Sequence, residues 1–292
     1  TLTAGQVGSG VVGTITNTLS GDITFTGTPI LTTRATDSYT LRLSGNIVNN
    51  GTLSITEGDV IIEDTNFNAV SLDGGNLTVF DDLQVTSLIQ NSGTFATLGA
   101  NRDLTVTSAM TLAGTLNLSG GPNLDLTGAT LTLNTGANLT YDQDLTAGNI
   151  TLFNNGVQLN VDGALTVSGT LLFQNGASGT LDTGTNALNV GILEWHNEGI
   201  FNGTGPITAS TRMMFWPQRT IANLLEGAGE VYIGDPEDNN GYVELTAANT
   251  YTGQTRIRRG VLRATEGVGL PTNSRLTFRG VNGQDACVFE TS

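Results

Sequence analysis

Along most of the chain, apolar residues come in pairs two positions apart, each pair following a turn built on Gly or Asp. Leu53 and Ile55 follow Gly51, Val60 and Ile62 follow Gly58, Leu77 and Val79 follow Gly74-Gly75, and Leu104 and Val106 follow Asp103. The word continues through Leu131 and Leu133, Leu139 and Tyr141, Ile150 and Leu152, Leu159 and Val161, Leu165 and Val167, and Leu171 and Phe173. Residues two apart on a strand point to the same face. In Gly114-Thr115-Leu116-Asn117-Leu118-Ser119-Gly120-Gly121, Leu116 and Leu118 therefore turn inward. Thr115, Asn117 and Ser119 turn outward or toward a neighbouring rung.

Successive words lie about six to nine residues apart, so three of them span roughly 20–25 residues. No apolar stripe at i, i+3, i+4, i+7 is long enough to argue for a helix. Strands this short, without systematic two-residue hairpin turns, do not make a meander. The pattern predicts an all-β fold, a right-handed parallel β-helix (β-solenoid) with about three short strands per coil. No single coil buries its apolar face, and stacking does so. The competing architecture, an antiparallel sandwich or barrel, needs longer strands and clearer hairpins.

Residues 1–292 read as a single β-solenoid segment without a linker. Residues 1–20 are rich in Gly, Thr and Val, with Val11-Val12 and Ile15 as apolar punctuation, and read as a first strand or cap. The period loosens after Val190, so 190–240 read as irregular coils, with 221–225 a short helical turn or a strand. The pattern resumes at Val231 and Ile233, then at Val243 and Leu245.

The stretch Asn249-Thr250-Tyr251-Thr252-Gly253-Gln254-Thr255-Arg256-Ile257, preceded by Leu245-Thr246 and followed by Gly260-Val261-Leu262, is similar to the autotransporter-associated β-strand repeat. That repeat reads Leu-Thr, then Asn-Thr-Tyr-Thr-Gly-x-Thr-x-Ile, then Gly-x-Leu. Gly267-Val268-Gly269-Leu270-Pro271 and Leu276-Thr277-Phe278-Arg279-Gly280 match its continuation, so the likeness covers residues 243–280 in one copy. It implies a parallel β-helix, secretion or display on a bacterial cell surface, and a place within a much longer chain. It carries no catalytic residues. The final Val288-Phe289-Glu290-Thr291-Ser292 stops mid-pattern, as though further rungs followed. On physical grounds Tyr251 is expected to pack over a strand end, with Gly253 and Gly260 at corners and Ile257, Val261 and Leu262 feeding the core or its rim.

Composition narrows the function. Charged residues make up 13% of the chain, about half the usual share. A disordered chain carries more charge and less Leu, Val and Ile. All eleven basic residues are Arg, and the net charge is −15. Residues 1–210 hold 17 acids and three Arg, while 211–292 hold nine acids and eight Arg. Such a chain gains nothing from contact with DNA or anionic lipid. The expectation is no nucleic-acid partner and no membrane insertion by this segment. The one cysteine, Cys287, forms no internal disulfide and reads as a small buried hydrophobe. One Cys and one His make no zinc site without several carboxylates.

Glycoside hydrolysis needs two carboxyls on one face, roughly 5–9.5 Å apart. The candidates are Asp81-Asp82, Glu63-Asp64, Asp142 with Asp144, and Glu194 with Glu198. Asp142 and Asp144 share a face if extended, but they sit at a strand-to-turn boundary, where Asp is a turn former. No catalytic residue is assigned. The best local cluster for a ligand is Glu194, Trp195, His196 and Glu198, with Phe215 and Trp216 about one coil later. Aromatics beside carboxylates stack a sugar ring and hydrogen-bond its hydroxyls, so a glycan is the expected ligand. If 194–198 is a strand, Glu194, His196 and Glu198 share one face and Trp195 takes the other. Asp235, Glu237, Asp238 and Asn240 make a calcium-like loop, although its Gly241 falls one position later than an EF-hand requires. Calcium is the one cofactor the sequence offers. Asn-x-Thr or Asn-x-Ser recurs at Asn50, Asn76, Asn117, Asn138, Asn149 and Asn202, and reads as side-chain ladders between rungs.

The resulting expectation is a non-enzymatic structural or adhesive module of a large secreted or cell-surface bacterial protein. Its partners would be other segments of a longer chain, further copies of itself, or cell-surface glycans. The alternatives are a polysaccharide-degrading hydrolase or lyase on the same fold, or a viral tailspike-like glycan-binding fibre.

Overall fold

The computed structural model describes residues 2–3, 15–20, 23–25, 30–32, 39–44, 47–63, 66–97, 102–153, 155–174, 178–196, 199–216, 218–234, 241–264, 268–279 and 287–291. The fold is all-β, with parallel sheets stacked as a β-solenoid of about ten turns. No helix occurs among the described residues. Two compact units are formed, Thr1–Asp142 and Gln143–Ser292.

In the unit Thr1–Asp142, the strands Asp103–Leu112 and Thr115–Asn117 are matched one turn later by Asn123–Leu133 and Asn138–Tyr141. Asp103 stands beside Asn123, Met110 beside Leu131, and Leu116 beside Leu139, all in parallel pairing. The register shifts between Thr105 and Ala109, which bends the long strand into two short segments. A third segment completes the coil, as the spacing of the apolar words requires. Inward columns follow from this register. Leu53, Val70, Leu88, Met110 and Leu131 stand one above another and are buried. Each such side chain removed from water is worth about 1.5–3 kcal/mol. Leu116 and Leu118 are buried, while Thr115, Asn117 and Ser119 are exposed.

One column of that unit carries a polar residue: Ile55, Leu72, Gln90, Leu112 and Leu133. The buried Gln90 amide donates to the carbonyls of Gly93 and Thr115 at 2.9 and 3.1 Å. It therefore supplies donors to backbone carbonyls at a corner that the ladder does not reach.

Within Gln143–Ser292 the columns are larger. Ile150, Leu171, Leu193, Met213, Val231, Thr255 and Leu276 form one, and Leu152, Phe173, Trp195, Phe215, Ile233, Ile257 and Phe278 form the next. Leu188–Trp195 pairs in parallel with Ile207–Phe215, with a register shift between Val190 and Ile192, and Ile207–Phe215 then pairs with two separate strands, Leu225–Glu226 and Glu230–Ile233. The loosened spacing over 190–240 is thus taken up in the corners and in that shift, and the parallel pairing persists. Strands lie at Arg219–Ile221 and Leu225–Glu226, so 221–225 contains no helical turn. The third side of the coil is built by Gln158–Val161, Thr180–Asp182 and Ile200–Phe201. A separate parallel sheet of Arg219–Ile221, Tyr242–Leu245, Gly260–Ala264 and Cys287–Thr291 follows.

The Asn-Thr-Tyr-Thr-Gly stretch is a corner that seals this core. Asn249 is buried, accepts from the Leu225 N–H at 2.9 Å and donates to the Gly269 carbonyl at 2.9 Å, so one side chain ties together three turns. Asn223 plays a related part, donating to the carbonyls of Gly203 and Gly205. Tyr251 is fully buried, and its hydroxyl lies 2.6 Å from Thr255 Oγ1, which lies 2.9 Å from Ser274 Oγ. Gly253 is required by close approach: a Cβ there would sit 2.1 Å from the Gly229 carbonyl oxygen. Ile257 and Leu262 are buried as expected, whereas Val261 is half-buried on the outward-facing side of its strand.

Outward polar residues form ladders, with Asp as the usual partner of Asn. Asn76 donates to Asp59 at 2.8 Å and Asn123 to Asp103 at 2.9 Å, each across one rung. Asp73 accepts from Asn91, Ser71 and Ser54, which holds its carboxyl below the usual range. Asn117 instead closes a local turn by accepting from the Ser119 N–H. Cys287 is half-buried, not enclosed, because its strand is paired on one side only among the described residues; its Sγ lies 3.4 and 3.3 Å from the Ile257 and Arg258 carbonyl oxygens.

Candidate functional site

The residue that leaves each long strand in Gln143–Ser292 enters a corner, and the corners stack. Gln174 N–H donates to Leu152 O, His196 to Phe173 O and Trp216 to Trp195 O. Farther along, Gly234 donates to Phe215 O, Arg258 to Ile233 O and Arg279 to Ile257 O. Each donor follows the residue paired with its acceptor, so Phe153, Gln174, His196, Trp216, Gly234, Arg258 and Arg279 occupy one corner column. His196 and Trp216 are neighbours in it. Their rings stack with centroids 3.8 Å apart and planes 10° apart. Phe153, at one end, is 42% exposed.

Trp195 is the last residue of its strand and points the other way, into the core between Phe173 and Phe215. It stacks on Phe173 at 5.5 Å and meets Phe201 and Phe215 edge-on at 5.9 and 6.1 Å. Its indole N–H donates to Gly199 O at 2.8 Å. The Trp195 ring is therefore a core element and presents no face for a sugar. The strand ends at Trp195, so His196 does not continue the face of Glu194 as an extended 194–198 would have it. Glu194 is instead paired with Arg212 at 2.6 Å on the outer face of the sheet. Trp216 is mostly buried, with its N–H toward Met214 Sδ at 3.4 Å. Glu198 lies outside the described residues, as do Asp235, Glu237, Asp238 and Asn240. Among the described residues no group of three or more His, Cys, Asp or Glu is placed to hold a metal ion.

Arg219 is the residue that sequence reasoning passed over. Its register partner is the buried Val243, so it occupies an inward position. Its guanidinium lies 4.5 Å from the Trp195 ring centroid, donates from Nε to Trp216 O at 3.0 Å and from Nη2 to His196 O at 2.6 Å. Burial without a carboxylate lowers its pKa to about 10. Trp195, His196 and Trp216 are thus brought together, with Arg219 as their common support. The signal available in the sequence was weak: a polar residue two before Ile221 in a short apolar word.

The outer face carries an ion ladder. Glu194 pairs with Arg212, and Glu230 pairs with Arg256 at 2.6 Å. Glu230 also accepts from the Tyr232 hydroxyl at 2.6 Å, and this bond first, then Arg256, holds its carboxyl below the usual range. The other carboxylates weighed for catalysis are occupied too. Glu63 pairs with Arg42, and Asp81 with Arg102 at 2.8 Å. Asp82 accepts from the Asp103 N–H, Asp142 from the Gly120 N–H, and Asp144 from the Ala164 N–H. Asp64 lies outside the described residues.

Among the described residues no helix is long and apolar enough to cross a membrane. No protein-family model matches the chain, and neither a curated protein nor a solved structure does.

Proposed function

We propose that this chain is a structural and adhesive β-solenoid module of a large secreted or cell-surface bacterial protein, working by stacking and by contact with surface glycans. The observation that carries the reading is how the outward charges are used. Arg42, Arg102, Arg212, Arg256 and Arg263 each pair with an acid one turn away. Asp82, Asp142 and Asp144 each accept a backbone N–H from an adjacent turn. Side chains spent in this way hold rungs together, which suits a module whose work is extension. The likeness of residues 243–280 to the autotransporter-associated repeat supports surface display.

The test offers the chain to a panel of neutral and acidic polysaccharides and follows both retention and the release of new chain ends. Retention without release is expected. Turnover that disappears in Glu194→Ala or Asp144→Ala would establish the polysaccharide-degrading alternative instead.

A further inference from the structure

We propose that Asn202 is an acceptor for N-linked glycosylation, taking a hexose or an oligosaccharide from a glycosyl diphosphate donor. The sugar here is covalent, so the proposal goes beyond the adhesive reading and does not depend on it.

Six Asn-x-Thr or Asn-x-Ser motifs occur in the chain, and the structure sorts them. Such a motif needs a reachable amide and a hydroxyl two residues on. Asn76 donates its amide to Asp59 at 2.8 Å. Asn149 accepts from the Thr170 N–H at 2.9 Å, and a Cβ on Gly169 would sit 2.3 Å from its Oδ1. Asn117 is turned back on its own motif, accepting from the Ser119 N–H at 3.0 Å. Asn138 is half-buried, and the Asn50 side chain lies outside the described ones. Asn202 differs: it is exposed, and its side chain makes no hydrogen bond among the described residues.

The backbone of this motif is fixed for presentation. The Asn202 N–H donates to Leu181 O at 2.9 Å and the Thr204 N–H to Gly184 O at 2.7 Å, one turn back. Gly203 between them is buried, and a Cβ there would sit 2.4 Å from Thr183 Oγ1. The segment therefore alternates out, in, out, and Asn202 and Thr204 share the outer face. The exposed Thr204 hydroxyl donates to Gly184 O at 3.4 Å and retains its acceptor lone pairs.

The position also has a use for a sugar. The sheet on the third side of the coil stops at Ile200–Phe201. Its edge takes no further strand among the described residues, and Ile200 is 46% exposed. Unpaired edges with exposed apolar side chains invite association unless covered. Asn202 lies two residues beyond Ile200 on the same face, so a hydrated sugar there covers both the side chain and the edge. In the transfer, Asn202 Nδ2 bonds to the anomeric carbon as that carbon's bond to the diphosphate oxygen breaks. The diphosphate leaves with the electron pair, and the amide gives one proton to a base of the transferase.

The experiment incubates the folded 292-residue chain with UDP-glucose and a soluble sequon-specific N-glucosyltransferase. A second arm uses a lipid-diphosphate oligosaccharide and an oligosaccharyltransferase. Peptide mass mapping locates the added mass, and its size names the donor. Asn202 should be modified first, about tenfold faster than Asn76, whose amide must leave a hydrogen bond to a carboxylate. Asn202→Gln and Thr204→Val should each abolish that first addition with the circular dichroism unchanged. Asp59→Ala, which frees the Asn76 amide, should bring Asn76 toward the Asn202 rate. No addition in either arm overturns the proposal, as does addition led by any of the other five motifs.

Discussion

The guanidinium of Arg219 sits 4.5 Å from the ring centroid of Trp195, at an inward-facing position of the coil. A charge in the core is a cost, and here it is offset by a ring face and two backbone carbonyls. The depression of its pKa to about 10 corresponds to a cost on the order of 3 kcal/mol. The folded value lies below the unfolded one. The cost is therefore full below about pH 10 and fades as pH rises above that value toward the ordinary arginine range. Arg219→Ala should destabilise by about 3 kcal/mol, because it orphans the carbonyls of Trp216 and His196 and opens space beside Trp195. Arg219→Met, which keeps the stem and removes the charge, should lose less than half as much. Urea midpoints followed by tryptophan fluorescence check the order, and a Met variant weaker than the Ala variant would refute it.

Stacking makes the inward residues of one coil matter to its neighbours. Leu116 is fully buried beside Leu139, whereas Asn117 is exposed and serves only its own turn. Leu116→Ala should cost about 2–5 kcal/mol and Asn117→Ala at most about 1 kcal/mol. Thermal unfolding of the two variants measures this, and equal small shifts would contradict the stacked-coil account.

The corner at Asn249 and Tyr251 is held by hydrogen bonds made inside the core. Asn249→Ala removes two of them between turns and should cost about 2–3 kcal/mol. Tyr251→Phe keeps the ring and loses the hydroxyl's contacts with Thr255 and Ser274, for about 1 kcal/mol. Gly253→Ala should be the most damaging, since a methyl group meets the Gly229 carbonyl and the backbone must move. Chemical denaturation of the three variants should rank them in that way.

Acid should loosen the solenoid through its ladders. Glu230 and Asp73 both titrate below their ordinary values in the folded chain. A carboxyl lowered on folding contributes stability that is present above its unfolded pKa and lost as pH falls through the folded one. The urea midpoint should therefore hold above about pH 4.5, the ordinary value of Glu230, and decline below it. Glu230→Gln should flatten that decline without steepening it anywhere. A midpoint independent of pH down to 3 would show that the ladders contribute nothing.

Much of the architecture was legible because the signal is local. Leu116 with Leu118, or Leu171 with Phe173, declares a strand by spacing alone, and repetition at a short period leaves stacking as the way to bury such strands. The cluster around Trp195 was legible as a group but not in its geometry. Adjacent residues of a strand face opposite ways, and where the strand stops decides which residues turn the corner. Glu194, Trp195 and His196 are consecutive, yet one joins an ion pair, one enters the core and one stacks in a corner.

The sequence by itself determined that this protein is a stack of short parallel strands, since apolar pairs at period two recur at short spacing between Gly- and Asp-bearing turns without the longer strands and hairpins that a sandwich needs. Only the tertiary structure decided which residues meet across a turn. Arg219 finds Trp195 and His196, and Arg258 stands beside Arg279, because register brings together residues about 20 positions apart. That register depends on corner lengths, which vary from coil to coil and leave no periodic mark in the chain.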